Sequence, residues 1–198
     1  MRSLYFFSLL FIFSSCTSYP VLKEYPESLS SISSKRIAFE NGSSARLVDG
    51  ARDGATVVVL VRHAEKASGG NDPQLTEKGS QRAVKLAEVL DPLEIEKVYS
   101  SNYQRTLETA EPLLKKRNLE VEIYNPRELK VLWSKILKED QGKKVLVVGH
   151  SNSTPSLANQ FTGKESFPQF DESDYDNVIL IEFTKANKVR ASRLSLKM

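Results

Sequence analysis

The sequence predicts an α/β fold: a mainly parallel sheet with helices covering both faces. Three observations carry this. From Thr56 onward, short runs rich in Val and Ile are separated by stretches of helical period. Those runs lack apolar–polar alternation, as expected of strands buried on both faces. The least ordinary charged residues fall directly after the runs, where open parallel sheets bind ligands.

In chain order, residues 1–15 come first. Arg2 is followed by the apolar run "LYFFSLLFIF" from Leu4 to Phe13, then by "SSC" ending at Cys16. Such a run covers roughly 15 Å as a helix, about half a bilayer core, so it reads as a cleaved signal peptide rather than a span. Cys16 is the only cysteine, which excludes an internal disulfide and a cysteine metal cluster. Its place after "FSS" is similar to a bacterial lipoprotein signal, although Phe13 stands where Leu is more usual. The similarity implies lipidation of Cys16 and tethering to a membrane surface, in the periplasm or cell envelope. Residues 16–54 are rich in Ser, Pro and Gly with no sustained period; they read as a tether with one short strand around Arg36 to Phe39. The catalytic domain is expected over residues 55–198.

Within that domain the strands are expected at 56–61 (TVVVLV), 97–99 (KVY), 120–124 (EVEIY), 144–148 (KVLVV) and 178–183 (VILIEF). Thr76 reads as an N-cap, with Ala83, Leu86, Ala87 and Leu90 at helical spacing until Asp91-Pro92. Residues 103–116, 128–137 and 153–161 are the other helices. Val189 to Leu196 does alternate, and reads as an added edge strand.

The chain has 198 residues, 40% hydrophobic and 27% charged, which suits one globular domain. Its formal charge of +3 is a small difference between 28 basic and 25 acidic residues, so nothing in the composition points to nucleic acid. No feature sets an oligomeric state.

Arg62 and His63 follow the first strand, Arg105 the second, and His150 the fourth. The two arginines offer fixed forks of donors that match phosphate oxygens. An imidazole between them resists protonation and keeps a lone pair for attack on phosphorus, which casts His63 as nucleophile. His150, the other of the two histidines, can hydrogen-bond oxygens that gain charge in the transition state. The arginines supply positive charge and would repel a cation, so no metal or other cofactor is expected. Zinc held by the two histidines is disfavoured by a spacing that fits no zinc motif.

The segments "VRHAEK" (61–66), "LTEKG" (75–79), "YSSNYQRTLETA" (99–110) and "VVGHSN" (147–152) together resemble the histidine phosphatase superfamily, branch 1, the phosphoglycerate mutase-like group. The resemblance runs from Thr56 to about Phe183. It implies a three-layer α/β/α fold and a phosphohistidine intermediate on His63. Arg62 and Arg105 would bind the phosphoryl group, His150 would complete the pocket, and Ser101 matches a hydroxyl position near the phosphate.

Two departures stand out. Ala64 replaces a common Gly, yet is small enough for close approach of a ligand. Members resembling acid phosphatases carry an Asp after the second His as general acid, but here Ser151 and Asn152 follow His150. Mutase-like members place a Glu after the third strand, where Glu128 lies; Glu65 is the alternative, and neither closes the question. The acidic segment "DESDYDN" (171–177) is either a solvated loop or part of the substrate entrance. Export removes cytoplasmic sugar phosphates as substrates, so the expected activity is hydrolysis of a phosphorylated small molecule or an envelope phosphate group. A protein phosphohistidine phosphatase and a phosphate-binding lipoprotein without turnover are the alternatives. A neutral His63 and a protonated acid together set an optimum on the mildly acidic to neutral side.

Overall fold

The computed structural model describes residues 21–47, 54–183 and 189–198, so Cys16 and the expected signal peptide lie outside the described residues. The strands are β1 (Val21–Ile32), β2 (Arg36–Phe39), β3 (Ser44–Arg46), β4 (Thr56–Arg62), β5 (Lys97–Ser101), β6 (Val121–Tyr124), β7 (Lys144–Gly149), β8 (Asn177–Phe183) and β9 (Val189–Ser195). The helices are α1 (Glu77–Leu90), α2 (Gln104–Arg117), α3 (Leu129–Glu139) and α4 (Ser153–Thr162). They assemble into one sheet of order β3-β2-β1-β9-β8-β4-β7-β5-β6.

Strand β4 shows why its sequence does not alternate. Val57, Val59 and Val61 face one core with Leu86, Leu90 and Leu113 of α1 and α2, while Val58 and Leu60 face another with Leu132, Ile136, Leu157 and Phe161 of α3 and α4. The result is the expected mixed α/β fold, with a helix pair on each face of the sheet. Thr76 caps α1 as predicted, its Oγ1 accepting from the Gly79 N–H at 3.1 Å.

Three expectations are corrected. Residues 21–47 are not a tether: β1 pairs in parallel with β9, and β2 and β3 extend the sheet beyond it. Only the strand at 36–39 was anticipated, because β1 (VLKEYPESLSSI) is polar over most of its length, and its register is interrupted between Glu24 and Ser28, around Pro26. It is nevertheless pinned by Leu29 and Ile32, both 0% exposed. β9 is consequently not an edge strand but lies between β1 and β8. Finally, β8 runs antiparallel to β4 and β9. Along β1-β9-β8-β4-β7-β5-β6 it alone opposes the common direction, so its N-terminal end and the loop before it, residues 163–176, reach the same sheet edge as the carboxyl ends of β4, β5 and β7.

Candidate active site

The chain after β4 reaches the site through a tight set of backbone contacts. The His63 N–H donates to the Gly149 carbonyl at 2.9 Å, which locks the ends of β4 and β7 side by side. Gly149 itself allows no substitution without displacement, because a Cβ there would lie 2.9 Å from Ser153 Oγ, Thr154 Oγ1 and Tyr124 Oη. Gly79 in the first turn of α1 is required for a similar reason: a Cβ would sit 2.1 Å from the Glu65 carbonyl oxygen, which accepts from the Thr76 N–H at 2.8 Å.

The two histidine rings lie with centroids 5.5 Å apart at an interplanar angle of 67°. His63 is 3% exposed, and its Nδ1 is 2.8 Å from the Ala64 carbonyl oxygen. A carbonyl only accepts, so Nδ1 carries the proton and Nε2 keeps its lone pair. Burial is the main cause that lowers the His63 pKa, to about 3; Arg62, His150 and Arg105 add to it, against the opposing Ala64 hydrogen bond. His150 is lowered to about 4 by burial, then by Arg105 and Arg62, with Glu172 opposing. The expected neutral imidazoles are present, but exclusion of water contributes more than the neighbouring cations.

The two arginines have separate sets of partners. Arg62, 4% exposed, donates through Nη1 to the carbonyls of Asp171, Glu172 and Asp174 at 2.9, 3.0 and 3.2 Å, and through Nη2 to Glu172 Oε2 at 2.8 Å. Its guanidinium stacks 4.3 Å from the Tyr175 ring centroid. Arg105 stacks likewise on Tyr103 at 4.4 Å and lies 3.4 Å from Asp72, whose carboxylate caps α2 by accepting from the Gln104 N–H at 3.0 Å. One atom in each arginine, Nε, is buried without a hydrogen-bond partner. Buried charged donors are rarely left so.

A cavity of about 410 Å³ is lined by His63, His150, Arg105, Tyr103, Ser151 and Glu172, with the exposed Lys66 and Arg127 among its other walls. Four sequence-based assignments are refined by this geometry. Arg62 does not line the cavity; it stands beside His63, tied to the 171–175 loop. Ser101 is 0% exposed and its hydroxyl is engaged at 2.9 Å with His150 Nε2 and at 3.1 Å with Thr106 Oγ1, so it positions His150 instead of facing phosphate. Glu128 is exposed at the N-cap of α3 and is absent from the cavity wall, although its neighbours Pro126 and Arg127 are part of it. Glu65 is held by Arg82 through two hydrogen bonds of 2.8 Å; burial would raise its pKa, but those bonds keep it low, and it faces a separate pocket. Outside the wall of the cavity that holds His63 and His150, Glu65 is not placed to deliver a proton to a leaving group there.

Sequence reasoning missed Glu172, Tyr175, Tyr103 and Asp72. Two of them lie in the acidic segment weighed as a solvated loop or part of the substrate entrance, and what brings that segment to the site is the antiparallel direction of β8. Among the described residues no cluster of three or more His, Cys, Asp or Glu side chains is placed to hold a metal ion.

With this geometry in place, known proteins show what it is similar to. The sequence model of the histidine phosphatase superfamily (branch 1) matches residues 58–130, the segment holding Arg62, His63 and Arg105. Over that segment, which is less than half of the 198 residues, the chain resembles the superfamily. Its fold is similar to that of the protein histidine phosphatase SixA complexed with tungstate, with a TM-score of 0.59 at 21% identity over 71% of this chain and 97% of that one. It is also similar to a mycobacterial glucosyl-3-phosphoglycerate phosphatase, with a TM-score of 0.59 at 15% identity over 71% of this chain and 98% of that one. Phosphoserine phosphatase 1 of Hydrogenobacter thermophilus is 36% identical over 93 residues, 42% of this chain; the match spans 44% of the relative, less than half its length. The segment that the family model matches ends before His150, which the sheet brings to His63 across β4 and β7.

Proposed function

We propose that the protein hydrolyses phosphate monoesters through a phosphohistidine intermediate on His63. The observation that carries this reading is a buried, neutral His63 with a free Nε2 beside His150, flanked by two arginines that each hold an unsatisfied Nε. In the first step the Nε2 lone pair attacks phosphorus and the ester oxygen leaves; in the second, water attacks phosphorus, the N–P bond breaks with its electrons on Nε2, and phosphate leaves. Arg105 would hold the phosphoryl oxygens and Arg62 would add positive charge beside His63, with His150, kept in register by Ser101, meeting the charge that develops on those oxygens. The names of the relatives support a small phosphorylated metabolite as the substrate class.

The deciding measurement is hydrolysis of p-nitrophenyl phosphate, whose good leaving group needs little help from an acid. The wild-type protein should turn it over, and His63→Ala should lose on the order of 10³-fold or more of that activity, as when another enzyme nucleophile is removed. Equal inertness of both proteins, with vanadate still bound, would leave a binding module instead of an enzyme. A second reading, protein phosphohistidine hydrolysis, is favoured by the exposed cationic rim of Lys66 and Arg127 and by the likeness to SixA. Faster dephosphorylation of a phosphohistidine protein than of small esters would establish it. Export and anchoring at Cys16 belong to the same proposal and rest on the signal-like residues 1–15. In a bacterial host the full chain should fractionate with membranes, and Cys16→Ser should abolish lipid labelling; labelling that survives this change would exclude the anchor.

A further inference from the structure

Hydrolysis of an unactivated ester needs a group that gives a proton to the leaving oxygen and later takes one from water. The two carboxylates expected for this work face elsewhere, Glu65 toward Arg82 and Glu128 toward solvent. Among the described residues that line the cavity, Glu172 is the only acid. We infer that Glu172, carried to the site by the loop before β8, is the general acid–base of the reaction, an assignment that rests on the phosphatase reading above.

The geometry supports this in three ways. Both carboxylate oxygens are fixed: Oε1 accepts from Ser151 Oγ at 2.6 Å and Oε2 from Arg62 Nη2 at 2.8 Å. Ser151 directly follows His150, and Arg62 directly precedes His63, so Glu172 is anchored to the chain neighbours of both reacting imidazoles. The loop is also held from below, since the Phe170 N–H donates to the Ser151 carbonyl at 3.0 Å and Phe170 is buried at 4% exposure. Meanwhile the Glu172 side chain is 70% exposed, which leaves it free to meet a leaving group arriving from solvent.

Charge explains how an ionised carboxylate becomes an acid. The Ser151 hydrogen bond, joined by Arg62 and His63, holds Glu172 below the ordinary carboxylate range despite an opposing effect of burial. The groups facing it are Arg62 from β4, His63 just beyond β4, and His150 and Ser151 just beyond β7. A phosphate dianion entering beside His63 brings negative charge next to Glu172 and competes for Arg62. Both effects favour the protonated carboxyl. As the His63 Nε2 lone pair forms the N–P bond, the P–O ester bond breaks with its electrons on oxygen, which takes the Glu172 proton. The Glu172 carboxylate then takes a proton from water as the water oxygen bonds to phosphorus. The N–P electrons return to Nε2 and orthophosphate leaves.

The test compares kcat/KM, which reports the first transfer, for phenyl phosphate and p-nitrophenyl phosphate in the wild type and Glu172→Gln. Gln can preserve hydrogen bonds to Ser151 and Arg62 but cannot supply the proton. Phenyl phosphate, with its poor leaving group, should lose on the order of 10²-fold or more, and p-nitrophenyl phosphate a much smaller factor. Equal losses on both substrates, or none, would overturn the assignment while leaving the phosphatase reading intact. A wild-type protein inert toward both esters would overturn that reading and this assignment with it.

Discussion

At the scale of single residues, the two imidazoles make a prediction with a definite sign. His63 and His150 are lowered to about 3 and about 4, against roughly 6.5 in an unfolded chain. Below that unfolded value the unfolded chain binds protons that the native site refuses, so stability falls as pH drops from about 6.5 toward 4. Above it the two groups contribute nothing to the slope. With only two histidines in the sequence, an NMR titration reads them directly. Neither ring should titrate between about pH 7.5 and 5, and a midpoint near 6.5 for either would show that its site is wet. The positions of Arg62, His63, Arg105 and His150 could be read from the sequence because each lies at or shortly beyond a strand end, where the backbone dictates placement. The roles of Ser101, Glu128 and Glu65 could not, because they depend on which way a side chain turns. Ser101 turns toward His150, Glu128 to solvent and Glu65 to Arg82. Nothing in the spacing of residues along a chain encodes those choices.

At the scale of elements, apolar strands and amphipathic helices announced themselves, while β1 did not. Its run of Lys, Glu, Pro and Ser lacks the pattern of a strand, since it is joined to the sheet by backbone pairing with β9 and by a few buried side chains. Leu29 and Ile32 sit in the same core as Leu180 and Leu194. Leu29→Ala should therefore lower the free energy of unfolding by about 2–5 kcal/mol, as for a fully buried leucine. Urea denaturation measures it, and a loss below about 0.5 kcal/mol, typical of surface sites, would mean that β1 is a peripheral strap. Assays of the isolated domain should accordingly retain the chain from Val21, because starting at Ala55 strips the partner strand from β9 and opens this core. The direction of β8 escaped sequence reading for a different reason: a strand buried on both faces looks the same in either direction.

At the scale of the whole molecule, the carboxyl edge of the sheet is closed by one buried cation. Arg82 of α1 bonds Glu65 after β4 through Nε and Nη2 at 2.8 Å each, Asp176 before β8 through Nη1 at 2.8 Å, and the Leu196 carbonyl beyond β9. A helix on one face thereby ties three strand ends together, including the loop that delivers Glu172. Each partner satisfies a charge that would otherwise be stranded, since the Arg82 side chain is 7% exposed and that of Glu65 13%. Arg82→Ala should cost about 3 kcal/mol or more, because the Glu65 carboxylate is left without its principal cation; Lys78, at 3.5 Å and largely exposed, compensates little. Glu65→Ala should cost a comparable amount by stranding the guanidinium. The double variant removes both charges at once, so its loss must be well short of the sum of the two singles. Denaturation of the three variants beside the wild type gives the coupling. Strict additivity would show that Arg82 and Glu65 stabilise the fold independently and that the carboxyl edge is held by the sheet alone.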